Sequence, residues 1–355
     1  MIPALTAMAL AFGAGMILIP LLMKLSAMKG WFDIADERKI HSGQVPFLGG
    51  VGIFFAFMFA AVVVFLVFLA RDPARDFAAR YYALLLIGLT FIHAVGVFDD
   101  FINIHAMRKL ILQVIAAGII TAGGVVIHGF SVPVLGIQVQ FGLLAYPISV
   151  LWIIGIGNAV NLIDGMDGMA GGVAAFIAVA MLVLGVVAGD QLVTLLSAAL
   201  IGALMSFLVF NAPPASIFMG DGGSLFLGYI IAILPIMHSS LPNPGLDFTI
   251  PVTLLLIPIL DTVSAILRRQ RRRLPIHQPD KEHAHHKLLA LGLSPRQALL
   301  VVYGMSALIS GAVIVYVVER DGLGMVLLAV AWMASISAFL MLSRVHRVQV
   351  RHNRK

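Results

Sequence analysis

The sequence has no cysteine, so neither a disulfide framework nor a thiolate-held metal is open to it. Any metal must sit on oxygen or imidazole ligands. Charge is scarce too. Asp, Glu, Lys and Arg make up 11% of 355 residues, roughly half the share of a soluble domain. No Lys or Arg precedes Lys24, so the first apolar stretch lacks the basic flank of a signal peptide and is expected to be a span. There is no internal repeat, no low-complexity linker and no soluble stretch of domain length. The lack of a repeat speaks against a transporter built from two related halves.

Apolar residues dominate instead, at 61%, and mean hydropathy is +1.03. Eleven stretches are long enough to cross a bilayer: 3–23, 46–70, 81–98, 110–127, 143–160, 169–188, 192–210, 223–240, 249–267, 297–318 and 323–343. They predict an all-α polytopic integral membrane protein of about 11 transmembrane helices, a single transmembrane domain over 1–355 set in a lipid bilayer. The 34 glycines suit close helix packing in lipid. Between the fourth and fifth stretches, 129–140 alternates Val and Ile with polar residues, which predicts a small hairpin on the outer face.

Lys and Arg are unevenly placed. Nineteen of the 23 lie in the odd-numbered connections and the C-terminal tail, and only Arg71, Arg75, Arg80 and Arg320 lie in the even ones. The positive-inside rule then puts the odd connections and the C-terminus in the cytoplasm and the N-terminus outside. The net charge of +6 is thus a topology signal, and no nucleic-acid partner is expected.

The polar clusters share that phase. They fall in loops at about 24–45, 99–109, 161–168, 211–222 and 268–296, all on the cytoplasmic side. The densest is Asn-Ala-Val-Asn-Leu-Ile-Asp-Gly-Met-Asp-Gly, with Asn158, Asn161, Asp164 and Asp167 between apolar runs. Its bland reading is a solvated turn. Carboxylates so close to membrane are costly and point to function. Asp164 and Asp167 are three apart, so a helical turn would put both on one face. Asp99 and Asp100 end the third stretch, where an acidic helix cap is the plain alternative. Asp221 sits between glycines just before an apolar run, where its carboxylate and nearby N–H groups are positioned to face one ligand.

Five aspartates on one side suggest a hard cation, and magnesium needs only one or two carboxylates plus substrate phosphates. Lys39, His41, Lys109 and the five arginines from Arg268 to Arg273 are suited to phosphate oxygens, although most of that arginine run is better read as a topology anchor. His283, His285 and His286 suit phosphate binding, acid–base work or a metal. Phe218 suits stacking on a base, or plain packing. Magnesium, a carboxylate able to take a proton and cationic phosphate clamps together describe phosphoryl transfer at a membrane surface. A transporter is the competing class, and a non-catalytic scaffold a third.

Asp99-Asp100, the Asn158–Gly168 run, Phe-Met-Gly-Asp-Gly-Gly-Ser over 218–224 and His-Ala-His-His over 283–286 resemble, in order and spacing, the polyprenyl-phosphate N-acetylhexosamine-1-phosphate transferases. The resemblance spans about Lys39 to Leu291. It implies magnesium- or manganese-dependent transfer of a sugar-1-phosphate from a UDP-amino sugar to undecaprenyl phosphate, with release of UMP. It also implies a bacterial inner-membrane location, a catalytic face toward the cytoplasm and sensitivity to tunicamycin. A homodimer is a further expectation. Val45-Pro46-Phe47-Leu48-Gly49-Gly50 resembles the N-acetylglucosamine branch rather than the phospho-N-acetylmuramoyl-pentapeptide branch. Two positions depart from that branch: Lys281 follows Asp280 where Arg is common, and Asn103 stands where a further acid is common.

By resemblance, Asp221 is the principal magnesium ligand, with Asp100 beside it assisting the metal or the lipid phosphate. Asp99 is the base toward the lipid phosphate. Asn161, Asp164 and Phe218 bind nucleotide, and Asp167, Asn158 and Asn211 belong to the same wall. His283, His285 and His286 meet the donor phosphates, with His41, Lys109 and Arg268 as further contacts.

Overall fold

The computed structural model describes residues 2–34, 44–71, 76–132, 136–239, 246–274, 283–319 and 322–352. Long apolar helices make up nearly all of it. They are α1 (Ile2–Lys29), α2 (Gly49–Arg71), α3 (Asp76–Ile102), α4 (Ala106–Ala122), α5 (Ala145–Ile163), α6 (Met169–Ala188), α7 (Gln191–Asn211) and α8 (Gly220–Ser239). Then come α9 (Thr249–Leu254), α10 (Leu256–Arg271), α11 (Ala284–Ala290), α12 (Pro295–Glu319) and α13 (Gly322–His352). Among the described residues, eight helical segments are long and apolar enough to cross a membrane. The protein is an all-α polytopic membrane protein.

Three stretches read as spans fall outside those eight. The described apolar part of α2 is the shorter Gly49–Val64. Helix α4 has 17 residues. The stretch 249–267 is broken into α9 and α10 at Leu255. Pro258 explains the break, because a proline ring collides with the carbonyl four residues earlier, here Leu254, and brings no N–H to bond it.

Local chemistry sets several ends. Gly189 closes α6 in the left-handed region, and Asp190 opens α7 by accepting from the Val193 N–H at 3.1 Å. The hairpin expected over 129–140 forms, with β3 (Gly129–Val132) antiparallel to β4 (Ile137–Gln140). The parallel partner of β3, β5 (Leu246–Asp247), comes from more than a hundred residues on and was not readable locally. A second hairpin pairs β1 (Phe32–Ile34) with β2 (Gln44–Pro46).

Helix α8 is the hub, with 89% of its apolar window buried against 22% for α1 and for α13. Glycine permits the approach. A Cβ on Gly228 would stand 2.7 Å from the Cα of Gly157 in α5, and one on Gly50 in α2 would stand 2.2 Å from the Cα of Gly223. In lipid, where no hydrophobic force drives helices together, such backbone contact is what holds them. It also brings the N-terminal turn of α8 against the ends of α2, α3 and α5.

Candidate active site

Asp221 lies in the first turn of α8. The preceding segment is gripped by the 45–50 stretch. Phe218 N–H donates to the Pro46 carbonyl at 2.7 Å, and the Gly49 and Gly50 N–H groups donate to the carbonyls of Phe218 and Met219 at 2.8 Å each. Gly220 has a φ of +70°, and a Cβ there would meet the Phe47 carbonyl and an Asp100 oxygen. Two motifs far apart in sequence therefore form one support.

Asp100, in the last turn of α3, binds that turn from the other side. Its Oδ1 accepts from the Asp221 N–H at 2.6 Å and its Oδ2 from the Gly222 N–H at 3.0 Å. This is an N-cap supplied in trans. A carboxylate near a helix N-terminus also opposes the helix dipole favourably. The N–H groups expected beside Asp221 to face a ligand are taken by Asp100, because both ends of the cap are packed against α3. His93, about two turns earlier in α3, adds a 2.9 Å contact from Nδ1 to the Gly222 carbonyl.

Asp99 and Asp221 converge on Lys109, from the first turn of α4. Its Nζ lies 2.6 Å from Asp99 Oδ2 and also bonds Asp221 Oδ2. Asp99 Oδ1 accepts from the Ile104 N–H at 2.6 Å, and Asp221 Oδ1 accepts from Asn161 Nδ2 at 2.8 Å. Asn161 also donates to Ser224 Oγ at 2.8 Å. Two carboxylate oxygens from different helices thus hold one positive charge. That donor set fits a hard divalent cation. Among the described residues no three His, Asp or Glu side chains form a complete metal cage, and magnesium does not require one.

Below this network Asn158 and Gln113 form a reciprocal amide pair at 3.1 and 2.9 Å, and Tyr229 donates to the Gln113 carbonyl at 2.9 Å. Gln113 went unnoticed in the sequence because α4 otherwise reads as an apolar span.

Helix α5 ends at Ile163, so Asp164 caps it and Asp164 and Asp167 share a turn rather than a helix face. Burial, then the charges of Asp221, Asp100 and Asp167, pushes the Asp164 carboxyl up to about 7. Asp167 Oδ2 accepts from the Ala215 N–H at 2.9 Å. Asn211 is buried, with Oδ1 accepting from the Gly168 N–H at 2.8 Å and Nδ2 donating to the Ile217 carbonyl at 2.7 Å. Both Asp167 and Asn211 thereby brace the 164–168 turn against the 212–218 loop. Phe218 is half-buried at the end of that loop.

The histidines form the other wall. His283 Nδ1 lies 2.6 Å from Asp261 Oδ2 in α10. Its ring is parallel to that of His285, with centroids 6.1 Å apart, and His285 lies 4.2 Å from His286. His285 is 2% exposed, and neither ring nitrogen has a hydrogen-bond partner among the described residues. Burial, then neighbouring His286, pushes its imidazole down to about 3, so the ring is neutral at ordinary pH. It stands directly over Gly165, where a Cβ would come within 2.6 Å of Cε1 and Nε2. The glycine between the two loop aspartates thus admits the histidine wall to the aspartate turn. Arg268, in the last turn of α10, is partly buried nearby in sequence to this wall. Lys39, His41, Asp280 and Lys281 lie outside the described residues.

Comparison with known proteins bears on the family. A model of glycosyl transferase family 4 matches residues 82–239. A probable undecaprenyl-phosphate N-acetylglucosaminyl 1-phosphate transferase of Bacillus subtilis is 36% identical over 84% of this chain and 81% of its own. A decaprenyl-phosphate N-acetylglucosaminephosphotransferase of Mycobacterium tuberculosis is 31% identical over 79% of this chain and 74% of its own. A phospho-N-acetylmuramoyl-pentapeptide-transferase of Clostridium perfringens is 31% identical over 72% and 78%. With a relative this similar over most of both lengths, the chain belongs to glycosyl transferase family 4, among the polyprenyl-phosphate sugar-1-phosphate transferases.

Proposed function

We propose that the protein transfers N-acetylglucosamine-1-phosphate, or a related amino-sugar-1-phosphate, from a UDP-sugar to undecaprenyl phosphate. The supporting observation is the convergence of Asp99 and Asp221 on Lys109, with Asn161 bonded to Asp221, at one end of the bundle. An oxygen of the lipid phosphate attacks the sugar-bearing phosphorus of the donor. The bond from that phosphorus to the bridging oxygen breaks, and UMP leaves with the oxygen.

Each residue then has a task. Magnesium held by Asp221, with Asp100 beside it, would neutralise charge building on the transferred phosphoryl group. Asp99 accepts any proton left on the lipid phosphate. Asp100 holds the first turn of α8 so that Asp221 faces Asp99. Lys109, released from the carboxylate pair, meets phosphate oxygens as a compact point charge. Asn161, Asp164 and Phe218 take the nucleoside, with Phe218 against the uracil. His283, His285 and His286 meet the donor diphosphate, and His41 and Arg268 extend that contact.

The membrane orientation belongs to the same reading: N-terminus outside, C-terminus and site facing the cytoplasm of a bacterial inner membrane. Nineteen of 23 basic residues in one phase support it. A cysteine at exposed Gln270 should react with an impermeant maleimide only in inside-out vesicles, and one at exposed Gln138 only from the outer side. The reverse pattern would separate the site from cytosolic UDP-sugar.

The Clostridium relatives favour a second reading, transfer of phospho-N-acetylmuramoyl-pentapeptide. Membranes given undecaprenyl phosphate and a panel of UDP-sugars decide between them by UMP release. Release with UDP-N-acetylglucosamine supports the first reading, and release only with the pentapeptide donor supports the second.

A further inference from the structure

Asp261 is an ionisable side chain in the second turn of α10 and is 2% exposed. A carboxylate in such a place must be paired. Both its partners come from the start of α11. Oδ2 accepts from the His283 ring at 2.6 Å, and Oδ1 accepts from the Ala284 N–H at 2.8 Å. One carboxylate therefore sets both the entry of the chain into α11 and the orientation of the first histidine.

The pairing also sets the tautomer. A carboxylate against Nδ1 keeps the proton on that nitrogen and leaves Nε2 as the atom that can meet a ligand. The His283 ring is then held parallel to the His285 ring. We propose that Asp261 is a positioning residue for the transfer, holding His283 in one tautomer and one orientation so that its Nε2 engages the donor diphosphate. This rests on the reading of the histidine wall as the donor-phosphate contact. The motifs alone do not point to Asp261, because it lies 22 residues before His283 in an otherwise apolar helix.

Asp261→Asn separates positioning from simple capping. The amide oxygen can still accept from Ala284, but its NH2 faces Nδ1 and favours the opposite tautomer. Binding of UDP and of uridine to detergent-purified protein is measured by calorimetry, beside the thermal melt. UDP carries the diphosphate and uridine does not. Expected is a fall in UDP affinity of about 10- to 100-fold, the range seen on losing a carboxylate behind a metal-ligating histidine, with uridine affinity unchanged. Asp261→Asn combined with His283→Gln should lose no more than His283→Gln alone.

If UDP and uridine weaken together, or the double variant shows the product of the two losses, Asp261 only supports the fold and the proposal falls. If Asp261→Asn does not fold, Asp261→Glu carries the same test, since it keeps the charge and displaces it by one methylene. A His283→Gln protein that binds UDP as the wild type does would instead remove His283 from the donor. That outcome overturns the donor-contact reading itself.

Discussion

Asp221 and His285 stand in the two walls of one site, and their surroundings differ. Asp221 keeps 34% of its side chain exposed and has a lysine, an asparagine and an aspartate-capped backbone around it. His285 is 2% exposed and touches mainly other rings and the backbone of Gly165. Charge on the aspartate wall is balanced by groups drawn from α3, α4, α5 and α8. In the histidine wall, packing decides where the His285 ring lies, since neither of its ring nitrogens has a hydrogen-bond partner among the described residues. In the first, replacing a charge should matter most. In the second, replacing a small residue should.

Asp221→Asn tests the first half and carries the largest expected effect. It keeps side-chain volume and removes the charge that faces Lys109 and the metal. Transfer should fall by about a thousandfold or more, equivalent to roughly 4 kcal/mol of transition-state stabilisation. Purified variant with wild-type turnover at low magnesium would end this assignment.

Gly165→Ala tests the second half. The new methyl would displace the His285 ring, and a misplacement near 1 Å in a catalytic site costs about a hundredfold. Turnover should drop by about that factor, while Gly155→Ala, with open space beside it, should leave turnover unchanged. Equal turnover for both variants would mean that the ring has room to move.

Phe218→Ala tests the nucleoside contact. Loss of stacking on uracil should weaken both the donor and tunicamycin by about 1–3 kcal/mol. If neither weakens, Phe218 is only the packing partner of the 45–50 stretch.

The smallest effect is on stability. The Asp164 carboxyl lies at about 7 in the folded protein and near 3.9 when unfolded. The folded state therefore holds the proton between those values, and stability falls as pH rises through that window. Asp164→Asn removes this loss. In chelator, the variant should be more stable than wild type by on the order of 1 kcal/mol at pH 8, well below the full shift because the group is partly exposed. The gap should close by pH 4. A gap that stays constant across that range would show that the aspartate cluster does not share charge as described.

The same contrast explains what could be read in advance. The positions of most spans, the excess of basic residues in alternate connections and the identities of the aspartates and histidines are local properties of the chain. Hydropathy and charge placement suffice for them, because lipid excludes most other arrangements. The hairpin over 129–140 was legible for the same reason. The break at Leu255 depended on Pro258, a signal present in the sequence but masked by the continuity of the apolar run.

Partnership was decided only by the packing of helices. Nothing local says that Asp100 caps a helix that begins 120 residues later, that Lys109 lies between Asp99 and Asp221, or that Gly165 lies beneath His285. Helical periodicity orders neighbours three and four apart. Contacts between residues a hundred apart are set by which glycine faces let α8 approach α2 and α5. That is why the sequence by itself determined the kinds of group available to the site, and only the tertiary structure decided which of them touch.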